Sequence, residues 1–239
     1  QQTVLDQRLM DTLPASRAPQ QMATLIPAVT PTNQDVGGMV GDGTARGSMT
    51  VHGVVDARML INGLSNHTMS GSTGAHGAYN MAAYDEIVLD TGGVGADHKE
   101  GGLRINLIPR DGGNTFRGSF LTSFADNAMQ SDNLSDDLIA RGLGTADAIK
   151  RMWDINPAFG GPIKRDKLWF HATTRWTGAS NYVALFYNKN AGNPNAWTYE
   201  PDTTRRAFND HTIRNANARL TWQATTKHKF GLSIDPSRI

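Results

Sequence analysis

The sequence predicts two structures in series: an α+β domain over residues 1–114, then antiparallel transmembrane β-barrel strands over residues 115–239. Three observations predict this. Before residue 114, short strand-like runs mix with two helical stretches and glycine-rich connections. From Thr115 onward the runs alternate apolar and polar side chains in strict period two. The connections between those later runs alternate short and long, the rhythm of an outer-membrane barrel.

Composition narrows the function. A hydrophobic content of 38% against 19% charged residues supports a core and excludes a wholly disordered chain. The net charge of +1 and the lack of any basic run exclude a large phosphate-binding surface, so nucleic acid is not an expected partner. The absence of cysteine excludes disulfides, zinc–cysteine sites and thiol catalysis, and is neutral about compartment. No stretch approaches the roughly 20 apolar residues of a membrane helix. A transmembrane strand needs only about ten alternating residues, so a barrel stays open. Gln1 in place of Met, with no signal segment, implies that something upstream was removed.

Taken in order, residues 4–13 place Leu5, Leu9 and Leu13 on one helical face, and Pro14 ends that turn. Ser16 is positioned to cap a second short helix with Pro19 in its first turn and Met22, Leu25 and Ile26 inward. Residues 33–50 read as loop. "MTVHGVV" and "ARMLING" read as strands, the second closing on the turn pair Asn62-Gly63. Residues 65–80 are polar, small and glycine-rich, and read as a surface loop. "YDEIVLDTGG" and "GGLRINLIPR" are strands with glycine pairs at their ends.

In the second half, Phe116, Gly118, Phe120, Thr122 and Phe124 share one face. Leu168, Phe170, Ala172, Thr174 and Trp176 share another, opposite Trp169, His171, Thr173 and Arg175. Ala216, Ala218, Leu220 and Trp222 oppose Asn217, Arg219, Thr221 and Gln223, and Phe230, Leu232 and Ile234 repeat the pattern. Residues 162–167 and 225–229 are short polar turns. Residues 126–152 and roughly 181–212 read as long polar loops, the first holding a small helix capped by Ser135 or Thr145.

The run "DEIVLDTGGVGADHKEGGLRINLIPRDGGNTFRGSF" resembles the passage from plug to barrel in TonB-dependent outer-membrane receptors. Glu86-Ile87-Val88 matches that family's acidic-hydrophobic plug strand. Gly101-Gly102 with Ile105-Asn106-Leu107-Ile108 matches its closing segment, so Glu86, Gly101, Gly102 and Asn106 form the plug-closing motif. "LINGL", 60–64, resembles an earlier plug strand, with Asn62 where Asp is common. "INPAFGGPIKRDKLWFHATTRW" resembles barrel strands of the Oar-like subgroup. The likeness covers nearly the whole chain. It answers why glycine pairs flank "LRINLIPRD": the chain turns there from a plug sheet into a barrel wall, and glycine tolerates both positive φ and close backbone approach.

The resemblance implies plug-gated uptake of a small-molecule, glycan or peptide substrate across the bacterial cell outer membrane. It also implies two partners, outer-membrane lipid and a TonB-type energy-transducing complex. No TonB box is read before residue 4. The family's barrels have about 22 strands, whereas five candidate strands occur here, so a fragment of a large plugged barrel is expected. The competing class is a structural or adhesive β-protein, a filament subunit assembling through its open strand edges.

Candidate sites divide along the same line. Asn66, His67, Met69 and His76, in the expected apical loop, are the substrate-binding candidates. His52, His67, His76 and His98 lack ligand spacing, so no metal or cofactor is expected. "RDGGNT" lacks the Gly-Lys-Ser/Thr ending of a phosphate loop, and "GGVGADHKEGG" reads as a turn before an anion nest. Asp85-Glu86 point to opposite faces of a strand, Asp136-Asp137 start a helix, and no nucleophile elbow occurs; an enzyme is not expected. Phe120, Trp176 and Trp222 read as membrane-interface aromatics. Trp169 and Arg175 face the other way, and Arg175 is expected to pair with a plug acid.

Overall fold

The computed structural model describes residues 2–12, 19–27, 29–31, 49–51, 57–66, 79–92, 103–131, 134–143 and 146–238. Strand β1 (Gln2–Asp6) is followed by helices α1 (Gln7–Thr12) and α2 (Pro19–Met22) and by the paired strands β2 (Val29–Pro31) and β3 (Met49–Val51). Then come β4 (Ala57–Ile61), β5 (Leu64–Ser65), β6 (Tyr84–Asp90) and β7 (Leu103–Pro109). These last four join β1 in a five-stranded sheet of order β1-β6-β7-β4-β5, in which β4 and β7 run parallel.

The core of this part lies on one face of the sheet. Leu103, Ile105 and Leu107 alternate inward along β7, and Ile87 and Leu89 do the same on β6, each at most 1% exposed. Met10, Met22, Met59 and Tyr84 cover them. Asn62 (φ 51°) and Gly63 (φ 80°) form the tight β4–β5 turn, and the Asn106 carboxamide accepts a hydrogen bond from the Gly63 N–H at 2.9 Å.

The helix expected over residues 4–13 is shorter than its periodicity suggests. Residues 2–6 are an edge strand, with Leu5 paired to Ile87. The Asp6 carboxylate accepts from the Leu9 N–H at 2.8 Å, so a cap starts the helix at Gln7. Ser16 and Leu13 lie outside the described residues.

The second part is a wall of antiparallel strands: β8 (Arg117–Asp126), β9 (Ala148–Lys164), β10 (Leu168–Asn188), β11 (Pro201–Gln223) and β12 (Lys229–Ile234), in the order β12-β11-β10-β9-β8. A short β13 (Ser237–Arg238) also pairs with β11. Helix α3 (Asp136–Ala140) sits in the β8–β9 connection. Its Ser135 hydroxyl accepts from the Leu138 N–H, and Asp136 and Asp137 occupy the first turn where negative charge is favoured. Thr145 lies outside the described residues.

The loop expected over 181–212 is a correction. β10 runs to Asn188 and β11 starts at Pro201, so only residues 189–200 leave the ladder. Residues 182–187 of β10 are apolar or aromatic on both faces and residues 201–212 of β11 are mostly polar on both, so neither run alternates and a reading based on alternation misses them. The ladder is held by backbone hydrogen bonds and by cations over aromatic rings: Lys150 over Phe208 at 3.1 Å and Arg205 over Tyr187 at 4.9 Å.

The two faces of the wall differ in kind. Inward lie Asp154, Asn156, His171, Thr173, Asn215 and Thr221, all buried. Outward lie large apolar side chains in water-accessible positions: Phe120 is 69%, Leu220 41%, Trp176 46% and Trp222 52% exposed. Trp222 and Phe230 pack at 5.8 Å near the short-turn end, and Trp153 meets Trp176 edge-on at 5.2 Å nearer the long-loop end. Leu168, opposite Trp222, and Trp176 are eight residues apart along β10. At ~3.3 Å per residue that is about 26 Å of strand, or roughly 20 Å of height at a tilt of about 40°, close to the roughly 25 Å apolar band between the aromatic girdles of a membrane barrel. No described helix is long and apolar enough to cross a membrane, which says nothing about strands.

Candidate functional site

The first part meets the wall through polar contacts on a few fixed points. Residues 79–83 supply one. Asn80 is 1% exposed, and its amide donates to the Asn156 carboxamide at 3.1 Å and to the Thr173 hydroxyl at 2.9 Å. It accepts in return from Asn156 at 2.9 Å and from the Ala82 N–H at 3.1 Å, which caps the 3-10 turn Met81–Ala83. All of its hydrogen-bonding capacity on the wall side is therefore directed at β9 and β10.

Arg175 lies beside this point. Its guanidinium donates to Asp154 Oδ2 through Nε at 3.0 Å and Nη2 at 2.7 Å, and through Nη1 reaches the Tyr79 carbonyl at 3.5 Å. The expected partner, a plug acid, is corrected: the acid stands on the neighbouring wall strand, and the first part contributes a carbonyl. Strand pairing explains this, because β9 brings Asp154 opposite Thr177, within reach of the inward-facing Arg175.

The segment after β7 supplies the second fixed point. Asp111 accepts from Arg219 Nε at 2.6 Å, the Thr221 hydroxyl at 2.7 Å and Lys229 Nζ at 2.7 Å, joining the first part to β11 and β12. Burial alone would raise its pKa. The hydrogen bonds from Lys229, Arg219 and Thr221 outweigh that and hold the carboxyl at about 2, below the ordinary 3.8. A depressed folded-state pKa contributes stability that is present above 3.8 and lost as pH falls through about 2. The contribution is on the order of 2 kcal/mol from the shift, and nearer 1 after solvent screening of this partly exposed group. The protection of residues 103–114 in the full-length protein, taken relative to intrinsic exchange at each pH, is expected to fall between pH 4 and 2, and Asp111→Asn to remove most of that dependence.

Glycine matters most at Gly112. A Cβ there would sit 2.8 Å from Trp169 Cβ and 2.9 Å from the Phe170 nitrogen, and would strike the Phe170 carbonyl oxygen. The backbone thus lies directly against β10. Asn114 finishes the handover: its carboxamide oxygen accepts from Trp169 Nε1 at 2.7 Å and from the Asp166 N–H at 2.9 Å in the β9–β10 turn. Beside Asp111 is a cavity of about 540 Å³ lined by Gln7, Asp85, Arg110 and His171 among others. Arg110 and Asp85, both in its lining, pair at 3.0 Å.

Tyr79 and Tyr84 carry phenol pKa values above the ordinary 10.0, chiefly through burial, with the Asp235 charge adding to both. Both stay neutral, and the Tyr84 hydroxyl donates to Asp235 at 3.5 Å. Tyr79 accepts from the Asn66 amide at 2.8 Å, which ties the start of the 65–80 segment to the fixed point at Asn80. His67, Met69 and His76 lie outside the described residues, as do Gly101 and Gly102 of the plug-closing motif. Glu86 is exposed on β6, and Asn106 braces the β4–β5 turn. Neither touches the wall through a described hydrogen bond. Asn80, Asp111 and Asn114 were missed as site residues; their one sequence signal is the polar inward face they answer.

No family model matches the sequence, and no curated protein matches it. Solved structures do. The siderophore receptor PirA from Acinetobacter baumannii superposes with a TM-score of 0.60 at 15% identity, covering 99% of this chain and 31% of its own. The ferric enterobactin receptor PfeA from Pseudomonas aeruginosa gives 0.60 at 14%, covering 99% and 32%. The ferric yersiniabactin uptake receptor FyuA from Yersinia pestis gives 0.58 at 14%, covering 99% and 31%. This chain has the fold of the plug and first barrel strands of a TonB-dependent receptor. It spans about a third of the length of those receptors and is not a closed barrel. The matched proteins are receptors, not enzymes. In these terms the seam just described is the contact between plug and barrel wall.

Proposed function

We propose that the chain is the plug, residues 1–114, and the opening barrel strands, residues 115–239, of an outer-membrane receptor that imports a substrate when a TonB-type complex pulls on the plug. The observation that carries this reading is the contrast across one sheet: a plug-facing side of buried polar side chains, several of them hydrogen-bonded to the plug, and an outward side of exposed apolar residues between two aromatic girdles. A plug held by hydrogen bonds and ion pairs can leave a wetted wall, because water replaces each contact it breaks. A greasy interface would resist that separation. The outward girdles also speak against the filament alternative, whose surface would face water.

Within this reading, Asn66, His67, Met69 and His76 meet substrate from outside, through the loop that Asn66 and Tyr79 anchor to the seam. The likeness of residues 155–176 favours the Oar-like subgroup. The solved receptors with this fold are named for siderophores, so ferric chelates are the first substrate class to test, with glycans, peptides and cobalamin after them.

The test uses the full receptor in cells. A panel of labelled ferric siderophores, cobalamin and oligosaccharides identifies the compound whose uptake depends on the receptor. Asn80→Cys with Thr173→Cys is then bridged by a short reducible thiol-to-thiol linker. Uptake is expected to stop when the pair is bridged and to return on reduction. A bridged receptor that transports normally refutes plug movement at this seam.

A further inference from the structure

The outward face of the wall carries a pair of like charges. Arg214 and Arg238 are direct cross-strand partners. The register of β11 with β12 continues unbroken into β13: Ala218 opposes Ile234, Ala216 donates to the Pro236 carbonyl at 3.0 Å, and Arg214 opposes Arg238. Side chains two apart on a strand share a face, so Ala218, Ala216 and Arg214 stand with Leu220 and Trp222, and Ile234, Pro236 and Arg238 with Phe230 and Leu232. That is the outward, apolar face. Both arginines are exposed, and neither has a carboxylate partner among the described residues. Like charges directly opposite each other destabilise a strand pair. Arg214 also lies over the Trp176 ring at 5.0 Å, which fixes the pair at the level of the long-loop girdle.

Immediately towards the middle of the band is a recess of about 370 Å³. Its floor is Ala172, Thr174, Ala216 and Ala218, and Phe159 and Ile234 rise on either side. The four floor residues are small where their neighbours along each strand, Phe170, Trp176, Leu220 and Trp222, are large. An unfilled recess in hydrocarbon forfeits the dispersion contacts of its whole lining. Two guanidiniums at the interface above an apolar slot complement one kind of molecule, with a phosphate in its head and a hydrocarbon tail below it.

We propose that this patch seats a phosphorylated acyl lipid of the outer leaflet, with Arg214 and Arg238 holding a phosphate and one acyl chain lying over Ala172, Thr174, Ala216 and Ala218. The assignment rests on the reading of the wall as an outer-membrane barrel whose long loops face outward. The lipid supplies the anion that the arginine pair lacks and the carbon that fills the recess. It ties β10, β11 and the β12–β13 strand together from the side opposite the plug.

The experiment uses the full receptor in phosphatidylcholine nanodiscs doped with a bisphosphorylated hexa-acyl lipid A, with retained lipid counted by native mass spectrometry. The wild type is expected to keep the glycolipid at least tenfold better than R214Q/R238Q, and better than it keeps the same glycolipid stripped of phosphate. A216L/A218L, which fills the recess and leaves both arginines, is expected to lose retention as well. Equal retention by the wild type and R214Q/R238Q overturns the proposal, and so does full retention by A216L/A218L. Strand content and heat-modifiable mobility of each variant confirm that the barrel folds. Cell fractionation tests the membrane reading separately: a receptor absent from outer membranes defeats that reading, whereas an unchanged lipid count defeats only the lipid seat.

Discussion

Asp154→Ala in the full-length protein is expected to cost about 3–5 kcal/mol, because it leaves the Arg175 guanidinium buried without its carboxylate. Arg175 and Asp154 have side chains only 16% and 10% exposed, and the closest contact between them is 2.7 Å. The stranded cation also holds the Tyr79 carbonyl, so the loss spreads to the plug at Asn80. Two readouts follow. The barrel should unfold at lower denaturant, and residues 79–83 should exchange their amide hydrogens faster. Replacing both partners, Asp154→Leu with Arg175→Met, should recover most of the barrel stability, since no charge is then left unpaired. It should not restore slow exchange at residues 79–83, where the arginine donor is gone. If the single and double variants prove equally unstable, the pair is not what holds this part of the wall.

The second large effect belongs to the plug. Ile105→Ala is expected to destabilise it by about 2–5 kcal/mol, the range for deleting a fully buried aliphatic side chain. Ile105 is 0% exposed on the central strand β7, facing Leu89 across one ladder and Met59 across the other. In the full receptor the plug should melt in a separate, earlier calorimetric transition, with the barrel transition unchanged. A single transition at the wild-type temperature would mean that β7 is not the centre of this core.

These two sites mark what sequence can and cannot disclose. β7 was legible because Leu103, Ile105 and Leu107 alternate in a buried strand. The outward faces of β8, β10, β11 and β12 were legible for the same reason, since a wall with one apolar side writes period two into the chain. Where a strand does not alternate that signal vanishes, so the outer half of β10, apolar on both faces over residues 182–187, and that of β11, mostly polar on both, read as loop. β1 was hidden by a helical spacing of leucines that crosses the Asp6 cap. The seam was least legible. Asn80 meets Asn156 and Thr173 across 76 and 93 residues of sequence. Asp111 meets Lys229 across 118. Such pairings are set by how two sheets dock, and no local pattern encodes them. The arginine pair was invisible too, because Arg214 and Arg238 become neighbours only through the register of β11.

The lengths of β10 and β11 have a consequence for the cell surface. Strands of 21 and 23 residues extend roughly 70 Å at ~3.3 Å per residue, while the apolar band takes about 25 Å of height. On the membrane reading, the remainder rises as a mast, its tip bound by Asn188, which accepts from the amides of Asn190 and Glu200 at 3.0 Å each. Trp197 at that tip is 96% exposed. An antibody raised against residues 189–200 would then decorate intact bacteria without any permeabilising step.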